Sequence, residues 1–202
     1  MPIRYVCKQD ATDEDTYRQN INNFDNIEGY IYEITHGTAI PNDTYYFTKK
    51  QDFNQDALIK LEDSDYEEVD AKITIAIAAD KQRKVEKAWL VADIDADRHL
   101  YIVLFERQQD DMLASLVLDN GHSFAYRDYP AEYNPISTWI VDDGGEMIPQ
   151  FFKVLLLAHS EDGLIIGINR ASFEALGTYL LRENDKVLEE TNIHSSRYWA
   201  PN

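Results

Sequence analysis

From Ala71 onward the chain repeats one pattern, in which short hydrophobic runs, the first alternating with period two, are separated by turn residues. AKITIAIA, VEKAWLVADI, HLYIVLFER, MLASLVLD and HSFAYRDY follow one another in this way. Period two is the repeat of an extended chain, because successive Cβ atoms of a strand point to opposite faces, and turn residues at these intervals close hairpins. Asp119-Asn120-Gly121 is such a turn, since Asn and Gly accept positive φ at little cost. The pattern predicts a meandering, largely antiparallel sheet.

Helical signals flank it. DEDTYRQNINNF reads as a short helix near the N-terminus, with Thr12 or Asp13 able to cap it and acidic residues in its first turn. GYIYEIT and TYYFTK read as strands that pair across the turn residues Pro41, Asn42 and Asp43, and NQDALIKL as a further short helix. PQFFKVLLLAH reads as a helix because Pro149 suits a first helical position, with a hairpin closed by SEDG before LIIGIN as the alternative. RASFEALGTYLLREN places Phe173, Leu176 and Leu180 on one helical face despite Gly177, and Lys186 to Thr191 adds another turn. The expected class is α+β, with helices near the N-terminus and in the C-terminal quarter, in a single domain over residues 1–202.

Charge narrows the functions. The chain holds 37 acidic and 19 basic residues, a formal net charge of −18, and residues 1–70 hold 16 of the acids against 6 bases. Such a field repels phosphate backbones and anionic membrane surfaces and draws in cations. Direct nucleic-acid binding is therefore disfavoured. The opening MPIRYVCKQD has no apolar signal core, and the longest apolar stretch, IPQFFKVLLLA, is too short to span a bilayer, so a cytoplasmic protein is expected. The single cysteine, Cys7, has no disulfide or zinc partner in the sequence. Gly144-Gly145 lies between acidic flanks, and no phosphate-binding glycine motif occurs, so no cofactor is expected.

Asp93, Asp95 and Asp97 stand on alternate residues before His99, which raises the alternative of a metal loop. A calcium loop counted from Asp93 needs glycine at its sixth position and glutamate at its twelfth, where this chain has Arg98 and Leu104. The stretch is read instead as a hairpin turning at Asp95 to Arg98, with Asp93 and Asp95 on the same solvated face as Trp89 and Val91.

Two short patterns offer chemistry: His36-Gly37-Thr38 and His194-Ser195-Ser196, each a histidine followed two residues later by a hydroxyl. They resemble the paired motifs of the two-histidine phosphoesterases. The resemblance implies acid-base work by His36 and His194, with Thr38 and Ser196 holding a phosphate. The basic cluster Lys81, Arg83, Lys84 and Lys87 reads as a solvated turn between strands.

The densest acidic run is Glu62, Asp63, Asp65, Glu67, Glu68 and Asp70, with Tyr66 inside it. As a solvated loop it needs no function. As a docking patch it suits a basic protein partner, with Tyr66 as an amphipathic anchor. The preferred expectation is a non-catalytic binding protein of inhibitor or immunity type, with a phosphoesterase-like hydrolase and an assembly subunit as alternatives.

Overall fold

The computed structural model describes residues 2–6, 29–40, 44–61, 65–135, 148–172 and 175–198. Strands β1 (Pro2–Val6) and β2 (Gly29–Tyr32) pair antiparallel as a small separate sheet. The remaining strands are β3 (Leu58–Ile59), β4 (Val85–Asp93), β5 (His99–Phe105), β6 (Asp111–Asp119), β7 (Phe124–Glu132), β8 (Phe152–Ser160), β9 (Gly163–Ala171), β10 (Ala175–Asn184) and β11 (Val187–Tyr198). They form one nine-stranded sheet in the order β3-β8-β9-β10-β11-β7-β6-β5-β4. One α-helix, α1 (Ala71–Lys81), occurs among the described residues.

The sheet is two antiparallel meanders, β4 to β7 and β8 to β11, joined where β11 runs parallel to β7 at the pair Val187 and Tyr126. It curls into a half-barrel, so that its concave face encloses one apolar core drawn from both meanders, including Leu100, Leu116, Ile166, Ile168, Leu181 and Leu188. The convex face is covered twice over. Helix α1 lays Ile73 and Ile77 against Tyr101, Val103, Phe105 and Val117 of the first meander. Residues 44–48 cross the second meander, where Thr44 meets Thr178 and the Tyr46 hydroxyl donates to the Tyr179 carbonyl.

The two edges of the curl are stitched by a single segment. Leu58 and Ile59 pair with Ala158 and Leu157 of β8, and the chain then reaches β4, where Glu68 bridges Trp89. There the Leu90 and Val69 amides donate to the Glu67 and Ala88 carbonyls. Residues 67–69 of the acidic run thus lie along the β4 edge of the seam.

The fold is predominantly β, not α+β, and several readings of the sequence are corrected. AKITIAIA is not a strand but most of α1. Asp70 caps the helix by accepting the Lys72 amide at 2.7 Å, Lys81 stands in its last turn, and its alanines favour helix. The buried Ile77 and the half-buried Ile73 and Lys81 recur at helical spacing, while Ile75, which strand alternation would bury with them, is exposed. Conversely, KVLLLA and ALGTYLLREN are strands β8 and β10, and 187–191 opens β11. In β10, Tyr179 and Leu181 face the inner core while Leu176 and Thr178 are buried on the convex side. A strand buried on both faces loses its alternation and mimics a helical stripe. NQDALIKL becomes a single 3-10 turn, Gln55–Ala57, followed by β3. Strand β2 pairs with β1 and not with TYYFTK. The predicted helix of residues 13–24 lies outside the described residues.

The hairpins of the first meander are as read: β4 and β5 turn at Asp95 to Arg98, and β6 and β7 turn at Asn120 and Gly121, whose φ is +79°. The faces of β4 are not. A register shift between Leu90 and Ala92 lets Trp89 and Val91, and then Ala92 and Ile94, all join the inner core, while Asp93 turns outward.

Replacing Asp70 with Ala is expected to destabilise the protein by about 1 kcal/mol through loss of the helix cap, read as a lowered denaturant midpoint with an unchanged slope. Gly167 offers a second check on the convex packing. A Cβ there would lie 2.9 Å from the Leu156 Cβ and 3.1 Å from the Tyr46 ring. Gly167→Ala should therefore cost roughly 1–3 kcal/mol by overpacking. A neutral result would mean that residues 44–48 do not sit firmly on β9.

Candidate functional site

Asp93, Asp95 and Asp97 are held in the β4–β5 turn by local bonds. The Asp95 carboxylate accepts the amides of Asp97 and Arg98 and pairs with the Arg98 guanidinium at 2.7 Å. These bonds, the Arg98 side chain first, hold its pKa below the usual carboxylate value. Asp93 bonds His99 Nδ1 at 2.6 Å across the hairpin. No set of three metal-ligating side chains converges among the described residues.

The two histidine motifs lie on separate elements. His36 is exposed at a bend, with its Nδ1 3.1 Å from the Thr35 hydroxyl, and Thr38 is exposed beyond Gly37. His194 lies on β11 opposite Tyr179, and Ser196 lies opposite Gly177, so the two share one strand face. No hydrogen bond joins His36 to His194 among the described residues.

Along the seam, Asp65, Glu67, Glu68 and Asp70 have exposed side chains, while Glu62 and Asp63 lie outside the described residues, as does Cys7. Tyr66 is turned into the fold. Its backbone takes φ +53°, its ring packs on the inner core, and its hydroxyl donates to the Phe152 carbonyl. Asp70 serves as the helix cap. Of the basic cluster, Lys81 pairs with Asp128 at 2.7 Å, Arg83 with Asp111 at 2.8 Å, and Lys84 with Glu106 at 3.6 Å, so these cations fasten the helix end to the sheet.

Two features were hidden from sequence reasoning. The first is a polar cluster inside the curl. The Tyr129 and Tyr179 hydroxyls bond at 2.7 Å, the Arg170 guanidinium lies 4.8 Å from the Tyr129 ring centre, and Arg127 pairs with Glu190 at 2.6 Å. These residues come from four strands, and no local motif links them. Burial pushes both phenols up, Tyr129 well above the ordinary tyrosine range.

The second is an acidic end. Because β7, β9 and β11 all run the same way, the turns that precede them lie at one end of the half-barrel, and the β4–β5 turn joins them there. Close contacts support this: the Asn120 amide nitrogen and the Leu164 N–H both donate to Glu183, and Gly121 packs beside Asp97. These turns collect Asp93, Asp95, Asp97, Asp119, Glu161, Asp162, Glu183 and Asp185 against two full cations, Arg98 and Lys186. Both cations are already paired, with Asp95 and Asp80. At the opposite end, Arg83, Lys84 and Arg107 neutralise Asp111, Glu106 and Asp110.

Compared with known proteins, the chain matches no family model, no curated protein and no solved structure. Among the described residues, no helix is long and apolar enough to cross a membrane.

The buried phenols set a pH limit. Desolvation raises Tyr46 and Tyr101 from 10.0 to about 12, and Tyr126 and Tyr66 move upward for the same leading reason. A phenol that ionises later in the folded than in the unfolded chain favours folding fully below its unfolded pKa. That contribution is lost as pH rises from 10 towards 12. Tyrosinate absorbance and loss of β-sheet circular dichroism should rise together in this window, and Tyr101→Phe should move the transition to higher pH. Tyrosine titration completed near pH 10 with the sheet intact would contradict the burial described.

Proposed function

We propose that this protein is a non-catalytic, acidic binding protein that recognises a basic protein, of the inhibitor or immunity type, acting in the cytoplasm. The observation that carries the reading is the uneven compensation of charge. The fold pairs its cations with carboxylates at one end of the half-barrel and gathers eight carboxylates against two cations at the other. Six of those eight side chains, Asp93, Asp95, Asp97, Glu161, Asp162 and Asp185, are exposed.

Like charges held together raise the free energy of the compact state, and an approaching cationic surface relieves that cost. The exposed acids of the seam, Asp65, Glu67 and Glu68, extend the negative surface along the curl. Long-range attraction of this kind acts mainly on the association rate and is screened by salt over a Debye length of about 8 Å at physiological ionic strength.

A variant carrying Asp97→Asn, Glu161→Gln, Asp162→Asn and Asp185→Asn is expected to associate roughly tenfold more slowly with a polycationic peptide at low salt. The difference should vanish at high salt, with stability unchanged or slightly raised. Stopped-flow binding across a salt series measures this. An unaltered low-salt rate would remove the acidic end from the binding reaction.

A further inference from the structure

The small sheet carries a row of aromatic rings that the fold does not bury. Along β2, Tyr30 and Tyr32 are exposed while Gly29 and Ile31 are half-buried, so the two rings stand on one face. Tyr5 lies opposite Tyr30 in β1 with the ring centres 4.9 Å apart, and Tyr32 stacks on Phe47 at 5.0 Å and 13°. The segment bearing Phe47 alternates in the same way. Thr44 and Tyr46 turn towards β9 and β10, which leaves Tyr45 and Phe47 pointing away from the barrel. The Tyr45 hydroxyl accepts the Ile40 amide at 2.6 Å and is fixed by it.

The result is a continuous row, Tyr5, Tyr30, Tyr32 and Phe47, with Tyr45 beside it. Tyr30 is 62% exposed and Phe47 66%. A contiguous aromatic surface of this kind marks an interaction site, and tyrosine supplies large contact area at small conformational cost.

Charge selects the occupant. A second copy of a chain carrying −18 would meet strong repulsion, as would nucleic acid or an anionic membrane. The excess of acidic residues over the whole chain instead favours a cationic surface as the occupant. Planar guanidinium groups stack on such rings, and the protein already uses this contact internally, with Arg107 lying 3.8 Å from the centre of the Tyr133 ring. We infer that the row formed by Tyr5, Tyr30, Tyr32, Phe47 and Tyr45 is the docking face for arginine side chains of a basic protein, an inference that rests on the basic-partner reading above.

Arginine and lysine homopeptides of equal length separate stacking from simple charge. Calorimetric titration of the full chain should give tighter binding of the arginine peptide by roughly tenfold, with the preference surviving at high salt. Tyr30→Ser combined with Phe47→Ser should reduce the arginine peptide to the lysine level, with an unchanged melting temperature because both rings are exposed. Each single substitution should remove part of the preference, which keeps the test readable if the double variant folds poorly.

Equal affinities for the two peptides, or a preference that survives both substitutions, would overturn the docking face while leaving the acidic-binding reading intact. Binding of neither peptide at low salt would overturn both. Self-association in sedimentation runs that disappears in the Tyr30→Ser and Phe47→Ser variants would assign the row to a second copy of the chain and overturn the arginine-docking inference.

Discussion

The weakest joint in the backbone is the junction between β7 and β11, and the rest of the molecule is arranged around it. The two meanders share one paired position there, Val187 with Tyr126, supported by the Tyr126 amide bonding to the Lys186 carbonyl. Within each meander the ladders run for most of a strand's length, whereas beyond the junction side chains take over: Arg127 with Glu190, then Tyr129 with Tyr179. What keeps the halves together is therefore burial. Leu100 and Leu116 from one meander and Ile166 and Leu181 from the other fill a single interior, and burying each such side chain is worth about 1.5–3 kcal/mol.

Curling creates two further demands. The convex face needs covering, and two unlike elements cover it, a helix over the first meander and the 44–48 segment over the second. The open edges need closing, and Leu58–Ile59 pair with β8 while Glu68 bridges Trp89 of β4. Tyr66 is driven into an unfavourable left-handed backbone there, and the burial of its ring and its bond to Phe152 offset that strain. The densest acidic run is thus part of the architecture, and its exposed carboxylates line a seam that must exist for other reasons.

Two surfaces remain after these demands are met, and under the proposed binding function they suit different phases of one event. The acidic end would act at long range on encounter, while the aromatic row would act at short range on how long a complex lasts. The cluster around Tyr129 and Tyr179 helps to hold the junction between the meanders.

By itself the sequence determined the strands β4 to β7, because each is a short hydrophobic run bounded by turn residues and because turns such as Asn120-Gly121 and Asp95 to Arg98 are specified by local backbone chemistry. It also determined the excess of negative charge. Only the tertiary structure decided that Ala71 to Lys81 is a helix, since ITIAIA satisfies both periods and the choice falls to the Asp70 cap and the convex surface waiting for Ile73 and Ile77. Only it decided that β8 and β10 are strands, since burial on both faces erases alternation in β10 and a register shift between Val154 and Leu156 interrupts it in β8. The acidic end and the aromatic row likewise come from residues far apart in the chain, and chain reversal places them together where no window of sequence could.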